Sequence, residues 1–240
     1  MTEQDIGISV IVPVFNDTAA LRRLLAHVAT EAANSGEIVV VDAGDDAACV
    51  EVCNAFAARR IVCPPGRGHQ LNAGARNARG KILWFVHADA EPPQGCLALI
   101  EDAMHAGVAG GYFRFRFAGD PAWYKSLLQV LINWRTRFGV PYGDQGLFAA
   151  RDAFAAAGGF AEAPLFEEVP LVRGLRKAGA FGAIDADIGV SCRRWERDGW
   201  LRRSITNRAL ALAYAAGIAP DVLARRYRAM AADDGDELGC

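Results

Sequence analysis

Acidic side chains recur at the ends of apolar, β-branched runs. Ile8–Phe15 reads ISVIVPVF and is followed at once by Asn16 and Asp17. Glu37–Val41 (EIVVV) ends on Asp42, and Lys81–Val86 (KILWFV) ends on His87, Ala88 and Asp89. At Asp42 a carboxylate suits hydrogen bonding to a base or ribose. At Asp89 it suits a Mg²⁺ or Mn²⁺ ion carried on a diphosphate. Helix capping competes with both uses, since Pro92 and Pro93 look ready to open the helix after Asp89.

Four further clusters carry chemical potential. Gly66-Arg67-Gly68 follows the third apolar run, with Asn72 close behind. Gly143-Asp144-Gln145 is a polar turn between apolar stretches. Glu167-Glu168 precede Val169 and Leu171. Paired carboxylates at a helix start serve the helix dipole, or form a general base in which one charge raises the pKa of the other. Ser191-Cys192-Arg193-Arg194-Trp195 offers two guanidiniums for a diphosphate, or two solvated arginines on a helix.

The elements that must position these groups alternate. Strands are expected over 8–15, 37–41, 60–63 and 81–86, and helices over 18–33, 46–58 and 70–78, with a Pro/Gly loop over 64–68. Continuous apolar strands with short connections predict a doubly wound, mostly parallel sheet, whose ligands sit beyond the strands' carboxyl ends. Asp17, Asp42 and Asp89 share that location. Further on, a strand is expected over 109–117, an amphipathic helix over 122–137, a turn and strand over 143–150, a helix over 166–178 and a strand over 183–190. Two closing helices are expected over 200–216 and 220–230.

Composition excludes several classes. The 240 residues are 52% hydrophobic and 22% charged, an ordinary globular balance. The net charge of −2 gives no global pull toward nucleic acid. Six cysteines form no C-x-x-C and the four histidines are scattered, so no zinc pattern is present, and free thiols in a reducing cytoplasm are expected. Met1–Asp5 is polar and acidic, unlike a signal peptide, and no apolar run is long enough to span a bilayer. No glycine-rich loop follows the first strand, which argues against a dinucleotide site, and the P-loop and G-x-S-x-G motifs are missing.

The order of the parts is more specific than any one of them. The motifs ISVIVPVFND, VVVDAG (39–44), GRGHQLNAG (66–74), FVHAD (85–89), GDQ (143–145), EEVPL (167–171) and RRWE (193–196) resemble the family 2 inverting glycosyltransferases of GT-A fold. The nearest branch is the short soluble one associated with radical-SAM and selenodomain clusters, the arsenosugar-biosynthesis type found in bacteria. The resemblance runs from about residue 7 to about residue 228.

That resemblance implies an α/β GT-A fold, a Rossmann-like, mostly parallel sheet flanked by helices. It implies one domain over 1–230, with a nucleotide-binding half (1–90), an acceptor half with C-terminal helices (91–230), and an acidic tail over 231–240. Pro13, Phe15, Asn16 and Asp17 would line the nucleoside pocket, and Asp42 and Gly44 would meet the base or ribose. Arg67 would reach the base or the phosphates, with Gly68 beside it and Asn72 shaping the loop. His87, Ala88, Asp144 and Gln145 would complete the donor site, and Asp89 would hold Mg²⁺ or Mn²⁺. Glu168, with Glu167 beside it, would deprotonate the acceptor hydroxyl. Arg193, Arg194 and Trp195 would help hold the departing diphosphate or the acceptor. The chain departs from the family's usual pattern at His87 (Asp), Asp17 (Glu), the turn residues Ala43 and Asp45, and Glu168 (Asp).

The expected reaction is inverting transfer from a nucleotide sugar, a UDP-sugar first, to an unknown acceptor. A binder of the same fold without turnover and a nucleotidyltransferase are the alternatives, the latter lacking its G-G-x-G-[ST]-R loop. No nucleic-acid partner is expected. Between 190 and 230 there are nine Arg against Glu196, Asp198 and Asp221, which suits peripheral contact with an anionic membrane, although solvated helix faces are the favoured reading.

Overall fold

The computed structural model describes residues 7–232. The expected polar N-terminus Met1–Asp5 and the acidic residues 233–240 lie outside the described residues. Strands β1 (Ile8–Val14), β2 (Gly36–Asp42), β3 (Arg59–Val62), β4 (Ile82–Phe85), β5 (Gly110–Phe117), β6 (Phe148–Ala150) and β7 (Phe181–Val190) form one sheet in the order β3-β2-β1-β4-β6-β5-β7. All neighbours are parallel except β6, which runs antiparallel to both β4 and β5.

The strand period of two explains how both faces are buried. Ile8, Val10, Val12 and Val14 point into one apolar layer with Val40, Trp84 and Val86. It is closed by helices α1 (Thr18–Ser35), α2 (Ala47–Ala55) and α4 (Cys96–His105). Ile11, Val39, Val41, Leu83 and Phe85 point into the other layer. That layer is closed by α3 (Arg67–Asn77), α6 (Arg151–Ala156) and α7 (Glu168–Ala178). Helix α3 lies against β1 because residue 74 is Gly: a Cβ there would sit 2.4 Å from Ile11 Cγ2.

Two helix starts and two short helices differ most from expectation. Helix α3 starts at Arg67 rather than at residue 70, because Gly66 (φ 143°) turns the chain early; Arg67 and Gly68 therefore form the first turn of a helix, not a loop. Helix α4 starts at Cys96, not at Pro92-Pro93. Its first amides, those of Gly95 and Leu97, are taken by Glu31 of α1 at 2.8 and 3.1 Å. Helix α6 and the short α8 (Arg193–Asp198) were not expected from apolar periodicity, since each has only six residues.

Beyond β6 the sheet leaves part of β5 uncovered, because β6 pairs only with Gly110 and Gly111. Helix α5 (Trp123–Phe138) fills that gap with side-chain amides. Asn133 accepts from Phe115 N–H at 2.8 Å and donates to its carbonyl at 2.9 Å, while Gln129 accepts from Phe117 N–H at 2.9 Å. The chain closes with α9 (Trp200–Ala215) and α10 (Pro220–Ala232).

Candidate active site

Two clamps bring the ends of β1, β4 and β7 together. Gln70 of α3, buried, donates from Nε2 to the carbonyls of Val14 and Val41 at 3.1 and 2.9 Å, pinning the ends of β1 and β2. Glu91, just past Asp89, exchanges two backbone hydrogen bonds of 2.8 Å with Gly189 near the end of β7. The start of α8 is thereby delivered to the end of β4.

The result is a three-membered ion cluster. Arg193 Nη2 lies 3.0 Å from Asp17 Oδ2 and 3.4 Å from Asp89 Oδ2. Asp17 also caps α1, accepting from Ala20 N–H at 3.2 Å. Both carboxylates keep more than a third of their side-chain surface open, so a ligand can reach them. A cavity of about 1070 Å³ opens on one flank of this cluster; it contains Ala88, Asp89 and Arg193, with Arg23 and His27 of α1 and Arg116 of β5.

A second cluster surrounds the paired carboxylates. Glu167 and Glu168 are 3 and 4% exposed. They follow Phe166, whose φ of 62° is a left-handed backbone at a bulky residue, held by its ring stacking on Tyr214 at 4.6 Å. Glu167 Oε1 takes Arg67 Nη1 at 3.3 Å. Glu168 is pushed well above the usual carboxylate range by burial and then by the charge of Glu167, with Arg67 opposing. Arg67 is itself raised, burial being outweighed by Glu167 and Glu168.

His87 and Asp144 link the two clusters electrostatically. Burial, then the Arg67 charge, lower His87 to about 3, with Asp89 opposing, so its imidazole is neutral. Its Nε2 is buried without a hydrogen-bond partner, and a Cβ at Gly143 would lie only 3.2 Å away. Burial raises Asp144 to about 6 against the pull of Arg135 and Arg67. Partial desolvation, then Arg67, lower Arg194. Arg67 acts on His87, Asp144, Glu168 and Arg194 alike, and Asp89 acts on His87, Asp144 and Arg194.

The other expected residues fall into place around this core or outside it. Ala88 is buried, Pro13 and Phe15 at the end of β1 are half-buried, and Asn16 is exposed with φ 51°. Gly44 gives Asn16 room, since a Cβ there would meet its Oδ1 at 2.6 Å. Asp42 is 1% exposed and already committed: it accepts from Gly44 N–H at 2.9 Å and from Arg60 Nε and Nη2 at 3.0 and 2.8 Å. Burial pushes its pKa up, but Arg60 and Gly44 outweigh that and hold it low. The helix cap at α2 is Asp46, not Asp42.

Asn72 pairs both amide atoms with the Phe160 backbone, at 2.9 and 3.0 Å. Gly68 permits close approach to Ala161, whose carbonyl oxygen would lie 2.1 Å from a Cβ. Gln145 is buried and donates to the Phe113 carbonyl at 3.1 Å. Trp195 packs on Phe117 at 5.1 Å, anchoring α8 in an aromatic cluster with Trp200. Sequence reasoning missed Gln70, Arg60 and Arg135. Arg60 stands near the start of β3 and Gln70 inside α3, and neither carries a local signal; nor does Arg135, which stacks on Tyr142 at 4.5 Å.

Among the described residues no group of three or more His, Cys, Asp or Glu converges as a metal cage. The open carboxylate of Asp89 remains as a donor. This fits a cation that brings most of its ligands with a bound diphosphate, as Mg²⁺ commonly does, better than a resident structural ion.

The sequence pattern of the family described as glycosyl transferase family 2 matches residues 9–158. No curated protein matches the sequence. Among solved structures, a mannosyltransferase from Pyrobaculum calidifontis, in complex with GDP-Man and Mn²⁺, superposes with a TM-score of 0.63 at 19% identity, over 89% of this chain and 66% of that one. Glucosyl-3-phosphoglycerate synthase from Mycobacterium tuberculosis, in complex with phosphoglyceric acid, gives 0.59 at 18% identity, over 77% of this chain and 71% of that one. S. aureus TarS gives 0.58 at 17% identity, over 78% of this chain but 37% of its own. The chain thus spans just under two thirds of the mannosyltransferase. At these identities the likeness establishes the fold, a GT-A glycosyltransferase sheet.

Proposed function

The chain belongs to glycosyl transferase family 2, and from that membership we propose that it is an inverting glycosyltransferase using a nucleoside-diphosphate sugar. The observation that carries the reading is the Asp17–Arg193–Asp89 cluster, linked electrostatically through Asp144 to the buried Glu167–Glu168 pair. It joins carboxylates and Arg67 from the first half of the chain to arginines and a base from the second. The two halves act as one catalytic unit over 7–230.

In this reading Arg193, Arg194 and Arg67 draw the donor diphosphate to the ends of β1 and β4 and stabilise the charge that grows on it as the glycosidic bond breaks. A divalent cation held by Asp89 would add further neutralisation of the leaving group. Glu168 takes the proton from the acceptor hydroxyl, which attacks the anomeric carbon opposite the diphosphate and inverts it. Its raised pKa suits a base stronger than a free carboxylate. Arg67 spans both tasks, since it pairs with Glu167 while its charge reaches His87.

Asp42 acts on the donor through structure. Its pair with Arg60 fixes the Gly44 turn on which Asn16 rests, so a nucleoside over β1 and β2 meets a preformed wall. Phe15, Asn16 and Pro13 line that wall. The donor is a UDP-sugar by resemblance, and GDP-sugars are the comparison to run beside it.

Calorimetry with UDP and GDP, with and without Mn²⁺, tests the reading. Metal-dependent binding of one nucleotide that is lost in Asp89→Ala supports it. Absence of binding by both nucleotides in the wild type, or equal metal-dependent affinity in Asp89→Ala, refutes it.

A further inference from the structure

Helix α5 carries apolar side chains on its outer side as well as its inner one. Its amides Gln129 and Asn133 face inward, onto the backbone of β5, beside Leu128 and Ile132, which pack on Phe115 and Phe117. Six further apolar residues face outward: Trp123, Leu127, Val130, Leu131, Trp134 and Phe138 are 45–79% exposed. At the helical repeat these six share an arc of about 100°, with exposed Arg137 on its flank.

Helix α9 carries a second stripe. Leu201, Ile205 and Leu212 are 59–75% exposed, and exposed Arg208 stands in register between them. The two helices meet at their N-terminal ends, where the rings of Tyr124 and Trp200 lie 5.1 Å apart and the Lys125 ammonium sits 5.4 Å from the Trp200 ring centre. The sequences of α5 and α9 hold six Lys and Arg and not one acidic residue.

Contiguous apolar exposure on this scale marks an interaction surface. The charge pattern selects the partner. A second copy of the chain, docked by the same face, would bring two sets of basic side chains together and supply no carboxylate from either helix. An anionic bilayer answers both halves of the pattern: acyl chains for the Trp, Leu and Phe side chains, lipid phosphates for the arginines. Indole rings at both ends of the α5 stripe suit the headgroup boundary. Among the described residues no helix is long and apolar enough to cross a membrane, so the contact lies in the plane of the surface.

We infer that the α5–α9 face docks the protein on an anionic membrane surface. The basic 190–230 stretch alone favours solvated helix faces; α5 supplies the apolar half of the pattern. The inference is independent of the glycosyl-transfer reading, because it requires no donor or acceptor.

Co-sedimentation of the whole chain with lipid vesicles tests it. Vesicles of phosphatidylcholine with about one third phosphatidylglycerol should retain the protein at low salt and release it as salt rises. Pure phosphatidylcholine should retain less. Leu127→Glu with Trp134→Glu changes only exposed positions, and should lower partition into anionic vesicles at least about tenfold. Arg137→Gln with Arg208→Gln, which leaves every apolar side chain in place, should remove the salt-sensitive part. Failure of the wild type to bind anionic vesicles at low salt overturns the inference. So does unchanged binding by both variants. A wild-type dimer in sedimentation velocity that Leu127→Glu/Trp134→Glu converts to monomer also overturns it, and assigns the face to a second copy.

Discussion

Arg193 and Asp17 stand 176 positions apart in the chain, yet their side chains meet at 3.0 Å. The same guanidinium nitrogen lies 3.4 Å from Asp89, so one arginine from the last third of the chain closes over two carboxylates from the first. The distance is covered by pairing of β7 with β5 and by the Glu91–Gly189 backbone bridge, which seats the start of α8 above β4. A bound diphosphate would compete with the two carboxylates for Arg193, and that competition separates its role in binding from its role in stability.

Arg193→Ala should leave stability within about 1 kcal/mol of wild type, because an ion pair this exposed is screened by water. Nucleoside-diphosphate affinity should fall about tenfold or more, the worth of a charge-assisted hydrogen bond to phosphate. Urea melts and calorimetry on the same samples make the comparison. A large loss of stability with unchanged affinity would make Arg193 a structural tie.

The pH dependence of kcat/KM should follow Glu168. Because burial and Glu167 raise its pKa above 4.5, the rate should climb with pH through a midpoint above the ordinary carboxylate range. Glu167→Gln removes a like charge and should move that midpoint down. Arg67→Met removes an opposing charge and should move it up. Midpoints that shift together, or not at all, would take the base assignment away from this pair.

His87 should shape the acid side of the stability curve. Its pKa falls from 6.5 to about 3 on folding, through burial first and then Arg67. Between those values the unfolded chain binds a proton that the folded chain does not. The contribution is therefore whole above 6.5 and drains away as pH drops toward 3. In His87→Asn, stability should decline less steeply over that window, by up to about 1.4 kcal/mol per pH unit. Parallel urea midpoints for the two proteins across the window would contradict this.

Asn72→Ala should cost about 1–3 kcal/mol. Both atoms of the Asn72 amide are paired with the Phe160 backbone, and truncation leaves that N–H and carbonyl without partners. Asn72→Asp, which can accept from the N–H but cannot donate to the carbonyl, should fall between the two in thermal melts. A fully stable Asn72→Ala would point to a donor contact instead.

Much of this arrangement is legible in the chain itself. The β-branched runs at 8–15, 37–41 and 81–86 announce strands because both of their faces are buried, and the carboxylates that follow mark the strand ends. The family match over 9–158 and the GT-A neighbours agree with the resemblance drawn from the motif order. The narrower radical-SAM-associated branch stands on that motif order alone. What stayed hidden was long-range. That Asp42 is occupied by Arg60 depends on parallel pairing of β2 with β3. That α5 points its apolar stripe outward depends on the gap left by a three-residue β6. Neither fact has a local periodicity to announce it, and the six-residue helices α6 and α8 are too short to display one.

The central claim, that Glu168 is the base of a sugar transfer, is tested most directly by turnover of a nucleotide-sugar panel with wild type and Glu168→Gln. Wild type should release nucleoside diphosphate from at least one donor. Glu168→Gln should bind that donor with affinity within about threefold, since the base does not hold the diphosphate, while turnover falls about 10²–10⁴-fold. Donor turnover by Glu168→Gln at the wild-type rate would contradict the account, as would a wild type that binds a donor and transfers its sugar neither to water nor to any acceptor in a cell extract.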